Sequence, residues 1–124
     1  MLLSEPDIRE SLRQARAAFP NSSEWEYNNE INASYSGFTL WGEFTPEPDG
    51  SMPRTFFVTF DTDNEGWMGH LSIGQHYYFW TSADYGDAYL VDTDACESLG
   101  AAITSLKRRI TKLLTALTGS ASAP

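Results

Sequence analysis

Between residues 96 and 117 the apolar side chains Cys96, Leu99, Ile103, Leu106, Ile110, Leu113 and Leu117 recur at alternating steps of three and four. Only a helix gathers such positions into one stripe, so this stretch predicts a long helix with a face that must be covered. Asp94 and Glu97 stand where a helix N-terminus favours acids and caps, and Gly119 is the expected stop. The partner for that face has to come from the middle of the chain, where the apolar period is two.

In "EWEYNNEINASY", residues 24–35, Trp25, Tyr27, Ile31, Ala33 and Tyr35 alternate with Glu24, Glu26, Asn28, Glu30 and Asn32. That pattern predicts a strand with one buried and one wet face. Ser36-Gly37 offers a tight turn into "FTLWGEF", and the proline-rich "TPEPDGSMP" is a loop. "RTFFVTF", "WMGHLSI", "HYYFWT" and "AYLVD" follow as further strands, with a type II′ turn expected at Gly74-Gln75. At the start of the chain Ser4 and Asp7 form a capping pair ahead of Ile8, Leu12, Ala15 and Phe19, and Pro20-Asn21 ends that run. The expected fold is α+β, a single domain over residues 1–119 with a disordered tail at 120–124. It consists of a six-stranded antiparallel meander with an N-terminal helix and a long C-terminal helix packed on one face.

Charge is segregated along the chain. Residues 24–97 carry fourteen acids against one base, Arg54, whereas residues 98–124 carry Lys107, Arg108, Arg109 and Lys112 and no acid. So acidic a middle repels phosphate backbones, which argues against direct nucleic-acid binding and for a cation or a basic partner surface. The four bases read as the solvated back of the C-terminal helix, answering the acidic sheet. No apolar run reaches the roughly 20 residues of a membrane span, and the first residues lack a signal-peptide core, so a cytoplasmic protein with no membrane contact is expected. A single cysteine, Cys96, leaves no internal disulfide framework.

Little in the sequence has the pattern of catalysis. His70 and His76 are the only histidines, and they fit no zinc spacing; a half-exposed cross-strand pair is the simpler account. Cys96 lies on the apolar stripe among Asp92, Asp94 and Glu97, which disfavour a thiolate. No nucleophile elbow or phosphate loop is present, and the expectation is a protein without enzymatic activity and without a cofactor. "FDTDNEGW" places Asp61, Asp63, Glu65 and Gly66 as the first half of a calcium loop, but the twelfth position is Ser72 and the flanks are strands. A hairpin turn explains the stretch better. A looser calcium site is the alternative, in which Asp61, Asp63 and Glu65 meet Asp92 and Asp94 in space.

Alternation also predicts what lies opposite the core. Trp41 and Glu43, Phe57, and Met68 with His70 fall on the far face, together with either Tyr78 and Trp80 or Tyr77 and Phe79 of "HYYFWT". Asp84, Tyr85 and Asp87 flank them in the following loop. Large aromatics among carboxylates suit a protein interface steered by charge. The function expected is a small acidic protein-binding domain of inhibitor or immunity type. It would mask a basic, nucleic-acid-binding partner surface through Trp41, Glu43, Phe57, His70, Tyr78, Trp80, Asp84, Tyr85 and Asp87. In size and charge the chain is similar to toxin-immunity and phage anti-defence proteins, a likeness of class carried by no motif. A homodimer stacking two such faces, a calcium-binding regulator and a chaperone-like adaptor are the alternatives.

Overall fold

Ser4 opens the first helix, α1 (Glu5–Ala18): its Oγ accepts the Asp7 amide at 3.4 Å, Pro6 occupies the first turn, and Glu5 and Asp7 sit at the positive end of the helix dipole. A computed structural model of the chain describes residues 2–31, 36–50, 54–74 and 89–119. Phe19 and Pro20 end α1, and Ile8, Ser11 and Ala15 form its buried stripe. Ahead of it, Leu3 is tied to Asn29 through two hydrogen bonds, the Leu3 amide donating to Oδ1 and Nδ2 donating to the Leu3 carbonyl.

Five strands follow in chain order and pair as neighbours, all antiparallel: β1 (Ser23–Ile31), β2 (Ser36–Phe44), β3 (Phe56–Asp63), β4 (Gly66–Ile73) and β5 (Tyr89–Asp92). Among the described residues this is an antiparallel meander of five strands, where six were expected. The neighbour of β4 on the side away from β3 is Tyr89–Asp92, not the stretch 76–81 that the Gly74-Gln75 turn suggested; residues 75–88 lie outside the described residues.

The "FDTDNEGW" stretch is a two-residue hairpin. Asp63 pairs with Gly66, Asp63 Oδ1 accepts the Glu65 amide at 2.7 Å, and Gly66 adopts φ +120, which a side chain would strain. A Cβ at Gly66 would also lie 2.6 Å from the Cys96 carbonyl oxygen. Cys96 belongs here, bridged to Trp67 by backbone hydrogen bonds of 2.7 and 2.8 Å, and is not the first residue of the C-terminal helix.

That helix, α2 (Leu99–Thr118), starts three residues later than the stripe implied. Its cap is Ser98, whose Oγ accepts the Ala101 amide, and not Asp94 or Glu97. Gly119 closes it in the left-handed conformation, as expected.

Both helices lie on one face of the sheet. Phe38, Leu40, Val58 and Phe60 from the strands meet Leu99, Ala102, Ile103 and Leu106 from α2, with Ile8 and Ala15 from α1. α2 comes close to β4 because Gly69 has no side chain: a Cβ there would lie 2.8 Å from Phe60 and 3.3 Å from Leu106. The docking stops halfway along α2. Leu106 is fully buried, Ile110 and Leu113 are half-buried, and Leu117 is 76% exposed.

At the other edge, β1 is less covered than its alternation promised. Tyr27 stacks on Phe38, yet Tyr27 and Ile31 are exposed, because the core ends with β2. The α2 bases are exposed but not all idle. Lys107 donates to the Ala18 carbonyl at the end of α1, and Arg109 holds the Asp92 carbonyl and the Asp94 carboxylate. No helix among the described residues is long and apolar enough to cross a membrane.

Candidate functional site: the outer face of the sheet

Strand register decides what the uncovered face carries. Glu26, Trp41, Thr59, His70 and Asp92 are successive partners across all five strands and form one continuous row. Alternation puts this row opposite Leu40, Val58 and Phe60, hence away from the helices. A second row runs Glu43, Phe57, Ser72, Tyr89, and a third runs Asn28, Thr39, Asp61, Met68. Trp41, Phe57, Met68 and Tyr89 are therefore the large apolar groups of this face. The five strands contain seven acids, Glu24, Glu26, Glu30, Glu43, Asp61, Asp63 and Asp92, and no lysine or arginine.

His70 is the centre of the arrangement. It is 8% exposed, a buried residue and not the half-exposed one expected. Its Nδ1 lies 2.7 Å from Asp92 Oδ1 and its Nε2 lies 3.2 Å from Asp61 Oδ2. Tyr89 stacks on the ring, centroids 4.8 Å apart and planes 14° from parallel. The hydrogen bond to Asp61, joined by that to Asp92, raises the imidazole pKa above its ordinary value despite burial. Burial and the same two carboxylates push the Tyr89 phenol up as well. In the imidazolium form both ring nitrogens are donors, so neither is free to serve Ser72, on the same face, as a general base.

The opposite end of the face is a carboxylate cluster. Burial, then a hydrogen bond with Glu24 and the charges of Glu24 and Glu26, raise the Glu43 pKa. Glu24 reaches Glu43 because β1 is irregular between Ser23 and Glu26, with Glu24 at φ +54.

Of the residues singled out from sequence, Trp41, Glu43, Phe57 and His70 share this face, Phe57 folding over the backbone of Gly74. Tyr78, Trp80, Asp84, Tyr85, Asp87 and His76 lie outside the described residues. Four of the five carboxylates of the calcium reading are engaged, at three different places. Asp61 and Asp92 hold His70, Asp63 holds the Glu65 amide, Asp94 holds Arg109, and Glu65 is exposed at the hairpin. Among the described residues no three His, Cys, Asp or Glu side chains are grouped to hold a metal ion.

Sequence reasoning missed Tyr89 and the joining of Asp61 to Asp92 through His70. Both depend on β5 being the neighbour of β4, a long-range fact that alternation does not encode.

On the helix side, a cleft of about 440 Å³ opens between the end of α1, the sheet and the second half of α2, walled by Phe19, Phe44, Phe56, Leu71, Ile110 and Leu114. Its walls are apolar and carry no chemistry of their own. Searches against protein families, curated proteins and solved structures return no match.

Proposed function

We propose that the outer sheet face is a binding surface for a basic protein partner, and that the protein acts by occupying that partner's positive surface. The observation that carries the reading is the composition of the face: Trp41, Phe57, Met68 and Tyr89 in register among Glu24, Glu26, Glu43, Asp61 and Asp92, without a lysine or arginine on any strand. Apolar groups at the centre supply the affinity of such a contact, and a rim of one sign supplies its rate and selectivity. Size is adequate. Five strands of 4 to 9 residues, about 4.8 Å apart and rising about 3.3 Å per residue, span a projected area of roughly 600 Å², about three quarters of the ~800 Å² each partner contributes to a standard interface. Carboxylates placed this way also stand in for phosphates, which favours a partner that itself handles nucleic acid, and the class is an inhibitor or immunity protein.

The test is affinity capture with the wild-type protein and with a Trp41→Ala, Glu26→Lys double variant, each confirmed as folded. The wild type should retain a discrete protein of high isoelectric point that is released by about 0.5 M salt, where charge is screened beyond roughly 4 Å. The variant should not retain it. Capture of the same protein by both would refute the assignment to this face, and capture of acidic or salt-resistant proteins would refute the charge argument.

A further inference from the structure

We propose that His70 is a proton-operated gate on the outer face: while both ring nitrogens are protonated it holds Asp61 and Asp92 together, and on losing the Nε2 proton it releases Asp61.

The geometry decides which contact is lost. Neutral imidazole keeps one N–H and turns a lone pair toward the other carboxylate. A lone pair facing a carboxylate is repulsive, and more so at 2.7 Å than at 3.2 Å, so the surviving proton belongs on Nδ1, facing Asp92. The Asp92 backbone is itself held in place. It stands directly opposite His70 in the ladder, its carbonyl accepts from Arg109, and the next residue, Thr93, is bonded to Gly69 through both its amide and its hydroxyl. Asp61 is laddered between β2 and β4, and both carboxylates are open enough to turn to water, Asp61 at 35% and Asp92 at 53% exposure, so the longer contact, the one to Asp61, is the one released.

Among the described residues, the charged and titratable groups that face the ring are Asp61 from β3 and Asp92 and Tyr89 from β5. Arg109 of α2 reaches the backbone of Asp92 and the carboxylate of Asp94 instead. Among the described residues nothing cationic takes the place of the imidazolium when its proton leaves. The face then gains one negative charge and a free carboxylate in its middle, between Thr39 and Met68. The use of the gate rests on the outer face being a binding surface: a partner lysine or arginine that takes Asp61 would expel the proton, so binding and deprotonation favour one another.

The experiment is a long-range ¹H–¹⁵N NMR titration of the histidine rings between pH 5 and 9.5, on the free wild-type protein and on Asp61→Asn. In the wild type, both His70 nitrogens should be protonated at the acid end of the titration, the midpoint should lie above 6.5, and the neutral form should carry its proton on Nδ1. In Asp61→Asn the midpoint should move down while the Nδ1 tautomer persists. A wild-type midpoint at or below 6.5, or a neutral form protonated on Nε2, would overturn the gate. Because no partner is present, this outcome is independent of the capture experiment, whose failure would leave the titration of His70 as it is.

Discussion

Leu106→Ala tests how the outer face is held flat, because Leu106 is the last residue of the α2 stripe that is wholly enclosed. Its side chain stands against Gly69 of β4, with Phe60 on the other side. Removing its isobutyl group leaves a void that Gly69 has no side chain to fill and that the fully buried Phe60 cannot enter without leaving its own place. Leu→Ala losses in enclosed sites run to about 2.7–5.0 kcal/mol and grow with the volume left empty. Poor collapse here argues for about 3–4 kcal/mol. With an unfolding entropy of about 2.1 cal/mol/K per residue, a chain of this length loses roughly 4 °C per kcal/mol, so the midpoint should fall by about 12–15 °C.

Leu117→Ala removes the same atoms from the same stripe at a site that is 76% exposed, and should cost no more than about 0.5 kcal/mol. Thermal melts of the two variants, checked by denaturant midpoints, measure the contrast directly. Equal losses would mean that the second half of α2 is packed like the first, and the account of where the helix leaves the core would fail.

Gly66→Ala should destabilise by about 1–3 kcal/mol in the same assay, since it combines φ +120 with a methyl driven against the Cys96 carbonyl; an unchanged midpoint would show that the hairpin is free to relax. The His70 interaction is present below the ordinary histidine pKa and is lost as pH rises through the higher folded value. The wild-type midpoint should therefore fall from pH 6.5 to 9 more steeply than that of His70→Gln, and parallel curves would remove His70 as a source of stability. With Asp61, Asp63, Asp92 and Asp94 each bonded elsewhere, millimolar calcium should leave the midpoint where chelator leaves it. A rise of several degrees would reinstate the calcium reading.

What the sequence reveals and what it hides follow from the range of the interactions involved. The α2 stripe, the Ser4 and Gly119 caps, the Asp63–Gly66 turn and the inside–outside alternation of β2, β3 and β4 all rest on contacts within a few residues, and they are legible. The start of α2 is not, because Asp94 and Glu97 present the chemistry of a cap while the Cys96 backbone is claimed by Trp67, which leaves Ser98 to do the capping. The same holds for the site. Alternation places Trp41, Phe57 and His70 on one face, but the partners of His70 come from residues 9 and 22 positions away. Asp61 and Asp92 drew notice for their spacing in "DTD" motifs, the feature with no bearing on what they do. Tyr89 carried no signal at all, since a tyrosine beginning a strand is ordinary until its neighbour across the ladder is known.

The carboxylate end of the face gives a prediction in which stability and binding should move apart. Glu43 titrates above the ordinary carboxyl range because it is partly buried beside Glu24 and Glu26. A group raised in this way favours the folded state below the unfolded carboxyl pKa, and that contribution is lost as pH rises through the folded value. Negative charge on Glu43 beside Glu24 and Glu26 opposes folding, by about 1 kcal/mol or less for groups open to solvent. Glu43→Gln removes one charge, keeps the shape, and can donate a hydrogen bond to Glu24. It should raise the thermal midpoint at pH 7, by at most about 4 °C, and leave it unchanged near pH 4. If the face binds a basic partner, the same substitution should weaken that binding and flatten its salt dependence, since one fewer charge steers the encounter. Higher stability with weaker capture is what a surface organised around a partner's charge requires. A variant that loses stability at pH 7, or gains it without any effect on capture, would mean that the cluster is not repulsive in the free protein or not part of the contact.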